Sequence, residues 1–242
     1  DPRMREARHA RIPVFYCPSD GTPIENEITT PAFGCLRGNY RGCVGAGDLY
    51  GGLPGGSTLP AAIRQIPLAA DSNGLIGAFG ARVPGRSAGG NYTAVTVPPT
   101  KLAEFSDGTT STLLFSEGIA PTITGWGGPL GSMIYGNMGG SLFSAAEAPN
   151  TSLPDQIIGP CPQWDLVPPD TEYTAPCNSI GGHPGAANPG AAAAAAYARS
   201  RHVGGVNAAL VDGGVGFVFD SIDVESWRAL GTRALADVPA AD

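Results

Sequence analysis

Basic residues are scarce in this chain and lysine almost absent: Lys101 is the single lysine, and the arginines are scattered along the sequence. With a net charge of −7, no basic face is available for a phosphate backbone, which disfavours nucleic acid as a partner. No run of about 18 apolar residues occurs, so the sequence holds no membrane-spanning helix. Neither a Gly-x-Ser-x-Gly elbow nor a His-Glu-x-x-His zinc helix is present, and no Cys-x-x-Cys that would suggest a zinc ribbon. Helix signals are few as well. The 36 glycines and 23 prolines make up about a quarter of the 242 residues, yet Leu, Val, Ile and Phe fall in short clusters, so a loop-rich β fold is expected rather than disorder.

The clearest local signal is a hairpin. Ser200-Arg201-His202 leads into VGGVNAALV, then Asp212-Gly213, then GVGFVF. An Asp-Gly pair between apolar segments marks a tight turn, because glycine tolerates the positive φ such turns need. After it, Asp223 is suited to N-cap a terminal helix of about ten residues, with Ile222 and Trp227 as a hydrophobic staple and Trp227, Leu230 and Ala234 on its buried face. Upstream, strands are expected at Ile12–Cys17, Tyr92–Val97 and Thr110–Ser116, with a short one around Asn39–Val44 inside an otherwise surface-loop-like stretch 22–56. Pro18-Ser19-Asp20-Gly21 and Ser106-Asp107-Gly108-Thr109 read as turns. Residues 1–11 resemble the last turns of a helix. The chain opens on Asp1 rather than Met, so it is expected to be a processed or truncated product whose signal or anchor lies outside it. Asn188-Pro189-Gly190 and the six alanines after it read either as a short capped helix or as an unstructured linker.

Five cysteines leave several disulfide pairings open. Cys35 with Cys43 would close a Gly-rich loop and Cys161 with Cys177 would staple a Pro-rich one; free buried thiols are the alternative. Disulfides favour an oxidising, extracytoplasmic location, whether periplasm, cell surface or beyond.

Four pieces occur in order: FYCPSD at Phe15–Asp20, NYRGCVGAG from Asn39, SDGTTSTLLFSEG at Ser106–Gly118, and His202 followed after nine residues by Asp212-Gly213. This order resembles a large bacterial family, best known from planctomycetes, whose members carry a prepilin-type N-terminal cleavage and methylation segment followed by a domain of unknown function. The resemblance covers about residues 12–118 and 199–236. It implies a single α+β, mainly β domain over 1–242: a type IV pilin-like head, similar to the major pseudopilin of type II secretion, with an antiparallel sheet, long Gly/Pro-rich loops and a short C-terminal helix. The stretch 119–190 would then be a loop-rich insertion, and the family's N-terminal helix would lie outside these residues. Cys17, Pro18, Ser19, Asp20, Asp107, Gly108, His202, Asp212 and Gly213 are its signature positions. The implied role is structural and non-enzymatic: a subunit that assembles with its own copies or other pilin-like subunits, within a larger complex, touching the membrane only through that absent helix.

Three other readings are weighed beside it. His202 and Asp212, with Ser200 or Ser221 as nucleophile, would make a hydrolase, but a hairpin arm separates the two signature residues. Asp212, Asp220 and Asp223 flank the last strand as calcium candidates, a ligand that the resemblance to pseudopilin heads favours. His183 with His202 is a weaker transition-metal pair. A secreted module binding a glycan or a protein through 119–190 is the alternative function, with Trp126, Trp164 and Tyr135 as its aromatic surface.

Overall fold

The computed structural model describes residues 5–8, 10–20, 25–26, 35–47, 75–80, 99–121, 130–132, 138–159, 161, 175–179 and 194–234. A short helix α1 (Arg5–Arg8) precedes two single-turn 3₁₀ segments, Pro13–Phe15 and Pro18–Asp20. The strands are β1 (Glu25–Asn26), β2 (Cys35–Leu36), β3 (Tyr40–Cys43), β4 (Leu113–Glu117), β5 (Leu142–Phe143), β6 (Asp155–Ile157), β7 (Cys177–Ser179), β8 (Gly205–Leu210) and β9 (Val215–Phe219), and helix α2 (Val224–Gly231) follows. Five strands form the central sheet in the order β5-β3-β4-β8-β9. Its pairs are antiparallel except β3 with β5, which is parallel, so the sheet is mixed rather than wholly antiparallel. The fold is α+β and mainly β.

Hairpin β8-β9 is built by the residues that announced it. Gly213 takes φ +90° in the turn, Gly213 N donates to Leu210 O at 3.0 Å, and Gly214 N donates to the Asp212 carboxylate at 2.8 Å. Five residue pairs from Gly205↔Phe219 to Ala209↔Val215 complete the ladder. Helix α2 starts at Asp223, whose carboxylate accepts from Ser226 N at 2.9 Å. It lays Trp227 onto the sheet, where Trp227, Leu113, Phe143, Val206 and Ala208 are buried together with Leu210, Val218, Ile222 and Leu230 packed around them.

Several expectations are corrected. Residues 12–17 form no strand: Pro13 takes the first position of a 3₁₀ turn, since its missing N–H and fixed φ suit that site. The surface-loop reading of 22–56 fails over Arg37–Gly47, which is buried apart from a partly open Tyr40 and contains the central strand β3. Glycine there serves close packing, because a Cβ on Gly42 would come within 2.5 Å of the Phe79 ring. Ala194, Ala195 and Ala196 are neither helix nor linker; they are extended and buried, and Ala195 exchanges backbone hydrogen bonds with Gln156. Small side chains let this segment sit between β6 and the rest of the core. The pairing of Cys35 with Cys43 is not formed: Cys43 is a free thiol buried in β3, donating to Gly231 O at 3.8 Å. Cys161 and Cys177 are joined, 5.9 Å apart at Cα. Within 119–190, β5 joins the central sheet and Phe143, Ala145 and Ala146 enter the core. Tyr92–Val97, Trp126, Tyr135, Trp164, His183 and Ala191–Ala193 lie outside the described residues.

Candidate functional site

The motif residues sort to the two ends of strands β4 and β8. At one end the two Asp-Gly turns meet: Asp212 N donates to Thr109 O at 3.1 Å and Val211 N to Thr112 O at 2.9 Å. Gly108 takes φ +100° there, and Thr112 Oγ1 donates to its carbonyl at 2.9 Å. This end consists of turn geometry.

At the other end, side chains converge. Cys17 follows the first 3₁₀ turn, and its backbone N–H donates to Asn39 Oδ1 at 2.9 Å just ahead of β3. Asn39 Nδ2 donates in turn to Gly118 O at 3.0 Å and to the Asp20 carboxylate. Asp20 also accepts from Ala120 N at 2.8 Å and pairs with Arg201 Nε at 2.6 Å. Thus Asp20 clamps three segments. Glu117, the last residue of β4, is buried; its Oε2 accepts from Asn207 N at 2.7 Å and its Oε1 lies 3.1 Å from His202 Nε2. His202 Nε2 is also 3.4 Å from Cys17 Sγ and 3.1 Å from Asn207 Nδ2. Its ring stands edge-on to Phe217 at 6.2 Å and its backbone is fixed by Ser200, whose Oγ accepts from His202 N at 3.0 Å and donates to Gly205 O at 2.6 Å.

The sulfur, ring nitrogen and carboxylate oxygen of Cys17, His202 and Glu117 all lie within 4.8 Å of one another. Two openings flank them. One is a cleft of about 430 Å³ lined by His202, Ser200, Arg199, Asn150 and Asp220; the other is an apolar groove of about 590 Å³ lined by Val14, Phe15, Tyr40, Phe115, Asn207 and Val215. Burial pushes the Cys17 thiol above its ordinary pKa, and the adjacent Glu117 carboxylate adds to that despite opposing hydrogen bonds from Ser19. Tyr40 is raised for the same reasons, burial first and then Cys17 and Glu117. A reactive cysteine needs an electropositive, partly open setting that lowers its pKa, so this thiol is poorly placed as a nucleophile.

The His202–Asp212 pair and the calcium triad do not come together. Asp212 lies in the turn before β9 and Asp220 follows its far end, so His202 and Asp212 are separated by β8 and the three calcium candidates share no site. Each carboxylate is engaged locally. Asp212 holds its turn, Asp220 accepts from Asn150 Nδ2 at 2.8 Å, and Asp223 caps α2. Ser200 is bound to backbone groups rather than to the imidazole ring. Sequence reading passed over Glu117, Asn39 and Asn207. Glu117 and Asn39 stand inside the quoted motifs as polar residues beside buried apolar positions, which is the signal that marks them. A second polar feature was also missed: Arg199 reaches Asp155 at 2.9 Å and the carbonyls of Thr151 and Leu153 at 2.6 Å each, with Arg41 on the far oxygen of Asp155 at 4.0 Å.

Fold and site together define a mainly β domain whose motif segments are tied by one buried polar junction beside an uncovered apolar sheet face. The chain belongs to the family described as "Protein of unknown function (DUF1559)", which matches residues 1–225. No curated protein and no solved structure matches it.

Proposed function

We propose that this chain is the extracytoplasmic head of a pilin-like subunit that acts structurally, assembling with its own copies or with related subunits into a type IV pilus-like or secretion pseudopilus-like filament. The observation that carries the reading is the second face of the central sheet. One face is closed by α2, whereas the other exposes Phe115, Val215, Phe217 and Phe219, with Phe79 tilted against Phe115 at 5.3 Å. Contiguous exposed apolar surface of this kind marks an interaction site. Among the described residues strand β9 is also a sheet edge, a place that native proteins normally blunt with charge or proline, and VGFVF has neither. An apolar face that continues to an open edge suits burial against another subunit. The Cys161–Cys177 disulfide supports an oxidising compartment. Electron microscopy of the full-length, processed product tests the reading: filaments with a helical repeat are expected, and monomers alone would refute it.

A further inference from the structure

We propose that Cys17, Glu117 and His202 form a binding site for one transition-metal ion of the Zn²⁺ type, held through Sγ, Oε1 and Nε2. The three donors come from segments far apart in sequence, the turn before Pro18, the end of β4 and the approach to β8, and meet within 4.8 Å. Ideal tetrahedral zinc bonds of about 2.1 Å to nitrogen and oxygen and about 2.3 Å to sulfur imply ligand edges of roughly 3.4 Å for N···O and roughly 3.6 Å for N···S. The observed edges are 3.1 Å for His202 to Glu117 and 3.4 Å for His202 to Cys17, each within a few tenths of an ångström of that geometry.

An imidazole nitrogen offers one in-plane position, either a lone pair or a proton. Yet Nε2 faces a carboxylate oxygen, a thiol sulfur and an amide nitrogen at once, at 3.1, 3.4 and 3.1 Å. A protonated Nε2 can donate to Glu117 Oε1, which also accepts from Asn207 Nδ2 at 3.3 Å. A divalent cation among the three takes the place of the bonds between them, because thiolate, carboxylate and neutral imidazole each direct a lone pair inward and the two anions balance its charge. Thiolate with imidazole selects Zn²⁺-like ions over Mg²⁺ or Ca²⁺.

The supports around the donors match such a site. Glu117 Oε2 is fixed by Asn207 N–H at 2.7 Å, Oε1 accepts from Asn207 Nδ2 at 3.3 Å while facing the other two donors, and the loop of Cys17 is fixed by Asn39 at 2.9 Å. Cys17 and Glu117 are buried, while His202 is about a quarter exposed toward the 430 Å³ cleft. That side gives the ion an entry path and leaves the fourth position to water. The site stands independently of the assembly reading.

The test is calorimetric titration of the whole, oxygen-protected protein with Zn²⁺, followed by Co²⁺ loading read by absorption. One ion per chain is expected, with a thiolate-to-Co²⁺ charge-transfer band. Cys17→Ser and His202→Gln should each weaken Zn²⁺ more than about a hundredfold, beyond the usual effect of an outer-shell partner. Cys43→Ser, which alters the other free thiol, should leave affinity unchanged. Should a variant fail to fold, the wild-type Co²⁺ spectrum still decides the question. Absence of stoichiometric Zn²⁺ binding, a Co²⁺ complex without the thiolate band, or full affinity in folded Cys17→Ser would each overturn the proposal.

Discussion

The two faces of the central sheet are made by the same alternating strands and meet opposite fates. On β8, Val206, Ala208 and Leu210 turn to α2 and the core, whereas Asn207 and Ala209 line the apolar groove on the other side. On β9, Val218 packs inward, while Val215 is 74% exposed and Phe219 64%. A single strand therefore carries one face that builds the core and one that stays exposed. Burial of large apolar side chains explains why the domain holds together; apolar side chains left uncovered call for a partner. The polar junction of Cys17, Glu117 and His202 sits at the border between them, where β4 ends.

Substitutions on the covered face should have the largest effects on stability. Trp227→Ala removes the largest fully buried side chain among the described residues and should cost about 4 kcal/mol in denaturant unfolding. Arg199→Met leaves Asp155 with its nearest cation gone in a fully buried position, for a loss of about 3 kcal/mol by the same measurement. Asp223→Ala removes only the α2 cap and should cost about 1 kcal/mol. On the open face, Val215→Ser with Phe219→Ser should change stability by no more than about 0.5 kcal/mol. A loss there as large as that of Trp227→Ala would show that this face is packed, and would dissolve the contrast.

Alkaline pH probes the covered side without mutation. Burial pushes the Cys43 thiol from 9.0 up to about 12, and burial together with Glu147 and Asp155 pushes Tyr197 from 10.0 up to about 12. Both groups keep their protons longer in the folded state than in the unfolded one. Their contribution is therefore complete below pH 9 and is lost as pH rises from about 9 toward 12. Stability measured across that window should fall steadily, and Cys43→Ala should flatten the lower part of the decline.

Legibility in the sequence followed the range of the interactions. Hairpin β8-β9 and the start of α2 are local: Asp212-Gly213 and Asp223 act on neighbours a few residues away, and both elements stand where their residues placed them. Strand β3 was half hidden because its glycines resemble a loop until Phe79 is seen lying over Gly42. The alanine run misled because alanine serves helices and tight extended packing alike, and only its bridge to Gln156 decides between them. Cys43 was assigned to a disulfide from loop spacing, which carries no information on which way a strand residue points. The junction was the least legible feature. Its signature residues were visible as letters, but Glu117 becomes His202's partner only once β4 and β8 lie side by side.

The central claim is that the uncovered face is where subunits join. Its most direct test compares the full-length, processed wild-type product with Phe217→Asp/Phe219→Asp by sedimentation and electron microscopy, with unfolding measured in parallel. The account predicts filaments for the wild type and dispersed monomers of nearly unchanged stability for the variant; filaments persisting in the variant would contradict it.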